Sequence, residues 1–187
     1  MWLVAGLGNP GPEYEHTRHN IGFMVADELH RRWRMSSWKS KFGGEVSQQD
    51  QIVLLKPQEY MNVSGQAVQR TAAFYKIEAK DIIVIHDEID LPFGKLRVKV
   101  AGGHGGHNGL RSIVSQIGES FLRVRCGVGK PEGGKEKVTG HVLGGFSKLE
   151  KEELPFLVGG AADAVELIMK EGSVAAMNQV NTDKPRS

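Results

Sequence analysis

The chain has 187 residues, 40% hydrophobic and 25% charged, the mix of a globular domain rather than a disordered polypeptide. Lys and Arg number 24 against 22 Asp and Glu, and the net charge of +2, taken whole, argues against a strongly nucleic-acid-binding protein. The lone cysteine, Cys126, excludes an internal disulfide and a cysteine-cluster metal site, and fits a reducing compartment.

In chain order, Trp2 to Ala5 form a short apolar run closed by Gly6 and predict a buried strand. Ile21, Val25, Leu29 and Trp33 recur four apart and predict a helix over 21–33. Residues 52–55 predict a second strand, stopped by Pro57, and Ser64 is placed to cap a helix with Val68, Ala72 and Tyr75 inward. Residues 82–85 form an apolar run dominated by β-branched isoleucine and valine, the pattern of a strand buried on both faces. Residues 95–100 alternate, with Leu96, Val98 and Val100 opposite Lys95, Arg97 and Lys99. Asn108 is placed to cap a helix carrying Leu110, Ile113, Val114 and Ile117 and ending at Gly118. Residues 122–128 alternate again, with Arg123 and Arg125 on the polar side. Ser147 and Glu150 have capping-box spacing, and Pro155 predicts a break or a fresh helix start in the helical region they open. The last residues, about 178–187, are polar and expected to fray. Interleaved strands and helices predict a single α/β domain over 1–187, a mixed twisted β-sheet surrounded by α-helices.

Charge is unevenly distributed. Residues 91–135 hold eight basic side chains against two acidic ones, while the remainder is neutral or mildly acidic. That segment is where an anionic partner is expected. No apolar run approaches the ~18 residues of a membrane-spanning helix. The N-terminus lacks the basic region of a signal peptide, so a cytoplasmic location is the expectation.

Several motifs carry chemistry. Gly6-Leu7-Gly8-Asn9-Pro10-Gly11 matches a dinucleotide fingerprint, but Pro10, Gly11 and Pro12 oppose the helix start that a pyrophosphate site requires. The segment reads instead as a tight turn presenting Asn9. In Tyr14-Glu15-His16-Thr17-Arg18-His19-Asn20, an imidazole whose other nitrogen is held by a carboxylate makes a general base. Spacing alone does not choose between His16 and His19. Asn62, between a strand and a helix, offers a substrate both donor and acceptor groups. Asp87 follows the most buried strand, where ligands bind in α/β sheets. Alternation separates it from Glu88, which weakens a shared cation site. Gly102-Gly103-His104-Gly105-Gly106-His107-Asn108-Gly109 allows close backbone approach to a ligand. Around it lie Arg97, Lys99, Arg111, Arg123, Arg125 and Lys130, suited to positioning a phosphodiester backbone rather than reading bases.

Taken together, these motifs resemble the bacterial peptidyl-tRNA hydrolase family. The resemblance runs in order through Gly6–Gly11, Tyr14 with Thr17–Asn20, Tyr60–Gly65, His86–Pro92, Gly105–Leu110 and Arg125–Pro131, about residues 3–145. It implies hydrolysis of the ester joining a peptide to the terminal ribose of tRNA, with neither metal nor cofactor. It implies His19 as general base and Asp87 as its orienting carboxylate. Asn9 corresponds to the residue that helps distinguish a blocked peptidyl amine, and Asn62 and Asn108 to amides positioning substrate and water. Tyr14 and Tyr60 fall at aromatic positions lining the tRNA-end site; Tyr60 departs from the phenylalanine found in part of the family. Arg97, Lys99 and Arg125 fall where basic side chains meet tRNA phosphates. The implied partner is peptidyl-tRNA, through its acceptor stem and CCA end, and the implied state is a monomer. Two other classes stand beside the esterase: a non-hydrolytic RNA-binding module, and a metal-dependent hydrolase built on His86, Asp87 and the glycine-loop histidines.

Overall fold

A computed structural model of the chain describes residues 1–182. Its centre is a seven-stranded mixed sheet in the order β2-β3-β4-β1-β5-β7-β6. The inner four, β4 (Ile52–Pro57), β1 (Trp2–Gly6), β5 (Ile82–Glu88) and β7 (Leu122–Gly127), run parallel. Antiparallel strands close both sides: β3 (Gly44–Gln49) with β2 (Lys39–Lys41) beside β4, and β6 (Leu96–Val100) beside β7. The β2–β3 hairpin carries little apolar alternation, and the sequence did not reveal it.

Alternation along the central strands feeds two cores. Leu3 and Ala5 of β1 and Ile82 and Val84 of β5 face α2 (Ser64–Tyr75) and α3 (Asn108–Ile117), through Val68 and Ile113. Val4, Ile83 and Ile85 face α1 (Ile21–Arg32) and α5 (Lys148–Glu171), through Val25, Leu29 and Val165, with α6 (Ser173–Val180) adding Ala176 and Val180. Both faces of the inner strands are thus covered, as parallel strands require.

Four local expectations are corrected. Ser64 is the first residue of α2 rather than its cap, and its hydroxyl donates to the Met61 carbonyl at 2.8 Å. Asn108 is likewise the first residue of α3; the cap is His107, whose Nδ1 accepts the Gly109 and Leu110 N–H groups. The helix does not break at Pro155, because it runs unbroken from the Ser147–Glu150 capping box through Glu171. Residues 151–153 there are exposed, so water can satisfy the carbonyl that proline leaves unpaired. Finally, the expected fraying over 178–187 fails for its first part. Residues 178–180 complete α6, and the Asn181 side chain bonds both the N–H and the carbonyl of Val98, at 2.7 and 2.8 Å. Residues 183–187 lie outside the described residues.

The chain leaves β1 toward β4 on one side and returns through α2 to β5 on the other. A crevice opens at the strand ends where that reversal occurs, the usual ligand position in such sheets. Among the described residues, no helix is long and apolar enough to cross a membrane.

Candidate active site

The crevice has a volume of about 900 Å³ and is lined from the carboxyl ends of β1, β4 and β5, the glycine loop, and the segment around α4 (Val138–Val142). Asn9, His19, Tyr60, Asn62, Asp87 and Asn108 all line it. They come from five separate stretches of sequence, so the fold alone brings them together.

Glycine packing sets the geometry. A Cβ at Gly22 would lie 2.3 Å from the Leu7 nitrogen and 2.5 Å from the Ile85 carbonyl oxygen. A Cβ at Gly6 would lie 2.1 Å from the Gly22 carbonyl oxygen. The first turn of α1 therefore rests directly on the ends of β1 and β5. His19, two residues before that helix, is thereby brought against Asp87 on β5.

The His19 Nδ1 lies 2.8 Å from Asp87 Oδ2. A carboxylate only accepts, so this nitrogen carries the proton and Nε2 keeps its lone pair. The second carboxylate oxygen, Oδ1, lies 2.7 Å from His107 Nε2. His107 Nδ1 accepts two backbone N–H groups, from Gly109 at 3.1 Å and Leu110 at 3.2 Å, which fixes its proton on Nε2. Asp87 is only 2% exposed. Burial opposes its ionisation, but the two imidazoles outweigh burial and hold the carboxyl well below the usual carboxylate range. His16, by contrast, is exposed and does not line the crevice, whereas His19 lines it and meets Asp87.

Asn9 is fixed on three sides. Its Oδ1 accepts the Met61 N–H at 2.6 Å, its backbone N–H donates to Asn20 Oδ1 at 2.8 Å, and its carbonyl accepts from Asn20 Nδ2 at 2.9 Å. With the amide oxygen engaged, its NH₂ is the group left for the crevice. Tyr60 takes a left-handed φ of 37°, which costs a non-glycine residue free energy. Its ring is exposed and meets Tyr14 edge-on at 6.4 Å, although Tyr14 does not itself line the crevice.

The basic residues divide. Arg97 stands directly opposite Arg125, and Lys99 opposite Arg123, across the β6–β7 ladder, so the four share one sheet face. None of the four lines the crevice; its cations are Arg111 and Lys135. Arg125 Nη2 lies 2.9 Å from Glu88 Oε1. Glu88 lines the crevice beside Asp87, against the expectation of separate surroundings, but its carboxylate is turned to Arg125. Arg123 is withdrawn from the cations expected to meet a phosphodiester backbone: it is 1% exposed and donates to the carbonyls of Gly102 and Gly103. Strand β7 is internal, so its polar side faces the root of the glycine loop rather than water.

Sequence reasoning gave His107 a place only in the metal alternative, Asn20 none, and Arg123 one only among the cations for a phosphodiester backbone. Adjacency to Asn108 and His19 was the only signal for the first two, and alternation pointed the wrong way for the third. The metal alternative changes its membership. Among the described residues neither His86, whose Nδ1 donates to the Asp87 carbonyl at 2.8 Å, nor His104, which accepts from the Gly106 N–H, belongs to a cluster of ligand atoms. The ligand atoms of His19, Asp87 and His107 do lie within 4.8 Å of one another. They fit a cation poorly, because neutral His107 would have to bind metal at Nε2 while Nδ1 accepts two N–H groups, leaving neither nitrogen protonated.

The sequence model of a family described as peptidyl-tRNA hydrolase matches residues 3–187. A peptidyl-tRNA hydrolase of Renibacterium salmoninarum is 50% identical over 190 residues, covering 98% of both chains. One of Brucella ovis is 46% identical over 189 residues, covering 96% of this chain and 75% of that protein. The crystal structure of peptidyl-tRNA hydrolase from Acinetobacter baumannii superposes with a TM-score of 0.92 at 42% identity, covering 100% of this chain and 97% of the other.

Proposed function

The chain belongs to the peptidyl-tRNA hydrolase family, and from that premise we propose how its crevice performs the reaction. The enzyme hydrolyses the ester between a peptide and tRNA, releasing both. The observation that carries the residue assignment is the 2.8 Å bond from His19 Nδ1 to a buried, ionised Asp87, which leaves Nε2 as an acceptor in the crevice.

His19 Nε2 removes a proton from water as the water oxygen attacks the ester carbonyl carbon. Asp87 holds the imidazole and stabilises the imidazolium that forms. The carbonyl oxygen becomes an oxyanion, within reach of the Asn62 and Asn108 amides or a glycine-loop N–H; one such donor is worth about 3–4 kcal/mol. The bond to the ribose oxygen then breaks, and His19 returns its proton to that oxygen. No covalent enzyme intermediate is needed. Asn9 directs its NH₂ to the acylated end of the substrate, where a blocked amine differs from a free ammonium. Tyr14 and Tyr60 pack the CCA end, and Arg97, Lys99 and Arg125 meet acceptor-stem phosphates. The enzyme acts as a cytoplasmic monomer.

The test is release of peptide from N-acetyl-aminoacyl-tRNA, with and without EDTA. Turnover unaffected by EDTA, and reduced by several orders of magnitude in His19→Ala with tRNA affinity retained, is the expected result. Loss on chelation would select the metal enzyme. Retained tRNA binding without turnover would select the binding module.

A further inference from the structure

A second groove opens off the crevice between α2 and α3. It measures about 580 Å³, and Asn62, Asn108 and Arg111 line both spaces. Gln66, Ser115 and Gln116 form its outer part. Its floor is rigid: the Gly65 N–H donates to Ser112 Oγ at 2.8 Å, and a Cβ at Gly65 would lie 2.2 Å from the Ser112 carbonyl oxygen. Two helices in backbone contact thus hold the groove open before any ligand arrives.

The substrate has two arms at the scissile ester, one of RNA and one of peptide. The groove contains no aromatic ring to stack a base and a single cation, Arg111. The carboxamides of Asn62, Gln66, Asn108 and Gln116 dominate instead, and each can both donate and accept. That matches the N–H and C=O groups every peptide repeats, whatever its side chains. A chain leaving the reaction centre would pass between Asn62 and Asn108 to enter it. We infer that this groove holds the main chain of the peptide arm, the residues preceding the esterified one. The inference rests on the hydrolase reading above and adds a binding site to it.

The test compares kcat/KM for N-acetyl-aminoacyl-tRNA with that for the same tRNA bearing an N-acetyl-tetrapeptide ending in the same residue. The wild type is expected to favour the longer substrate by about tenfold, the return on a few net hydrogen bonds. In Gln66→Ala/Gln116→Ala, and in Ser115→Trp, which obstructs the groove from an exposed helix position, that ratio should fall toward one through the KM of the long substrate. Turnover of both substrates without length dependence overturns the inference and leaves the hydrolase reading standing. No turnover of either overturns the hydrolase reading itself. A ratio unchanged in both variants places the peptide elsewhere. Equal weakening of both substrates and of deacylated tRNA would assign the groove to RNA and also overturns the inference.

Discussion

Replacing Asp87 by Asn tests the hydrogen-bond logic of the site. The native carboxylate accepts at both oxygens, from His19 Nδ1 at 2.8 Å and His107 Nε2 at 2.7 Å. An asparagine has one accepting oxygen and one donating NH₂, so only one histidine keeps its acceptor. His107 cannot yield, because the Gly109 and Leu110 N–H groups hold its Nδ1 as an acceptor and its proton on Nε2. The amide oxygen therefore turns to His107 and the NH₂ to His19. His19 Nδ1 must then accept, and its proton moves to Nε2, where a base is required. The expected loss in kcat is about 10³- to 10⁴-fold, the scale of a wrong-tautomer base, or roughly 4–5 kcal/mol. KM should change little. Single-turnover hydrolysis of N-acetyl-aminoacyl-tRNA measures the loss, and ¹⁵N spectra of the His19 ring report its tautomer. A second substitution sharpens the case. In Asp87→Asn/His107→Ala the amide is free to flip its oxygen toward His19, so the double variant should be faster than the single one. A single variant within tenfold of wild type, or a double variant slower than the single, would refute the argument.

Gly22→Ala forces a methyl group within 2.5 Å of three backbone atoms, so it should cost about 3 kcal/mol and lower Tm by roughly 6–12 °C. Because α1 carries His19 into place, its kcat should fall as well; a Tm within 2 °C of wild type, by about the same scale, would be the adverse result. Burial, then the neighbouring His107, pushes the fully buried His86 down to about 3. As pH falls below about 6.5 the unfolded chain takes this proton and the folded one does not, so stability is lost downward through that window, on the order of 4 kcal/mol by pH 3. Asp87, held low, contributes stability above its unfolded value near 4 and loses it only below that. Urea midpoints between pH 7.5 and 4.5 should therefore slope in wild type and flatten in His86→Phe; equal slopes would contradict this. Burial first, and the Asp87 charge second, push the Cys126 thiol above its usual range. Iodoacetamide should leave it unmodified in the native enzyme and alkylate it in urea, as read by mass spectrometry.

What the sequence disclosed follows from where each signal is local. The buried run at 82–85, the alternation at 95–100 and the Ser147–Glu150 cap depend on neighbours in the chain, and each became the expected element. Asp87 at the end of a buried strand was legible for the same reason. The choice of His19 over His16 was not, because it depends on which residue the Gly6–Gly22 contact swings toward β5, a tertiary fact. The functions of His107 were hidden by the same cause: its partners, Asp87 and the first turn of α3, meet it only through the fold. Arg123 was misplaced because alternation separates two faces of a strand without saying that both are covered.

That error bears on how the enzyme holds a polyanion. The basic excess of residues 91–135 pointed to an anionic partner, with six of its eight cations set around the glycine loop. The fold ties several of them to groups of the protein itself. Arg123 is buried at the root of the glycine loop, Arg125 meets Glu88, and Lys130 meets Asp90 at 3.0 Å. Arg111 and Lys135 line the crevice, and Lys99 stands exposed on the edge strand. A charge engaged with a carboxylate adds less to the field than a free one, so the surface attracts RNA less than its composition suggests. Phosphate contacts raise affinity without distinguishing an acylated tRNA from a bare one. Every such contact also binds the deacylated product and slows its departure. An esterase that must release a tRNA after each turnover therefore gains from pairing its cations internally. Under the assignment proposed above, discrimination falls to uncharged groups at the ester, Asn9, Asn62 and Asn108.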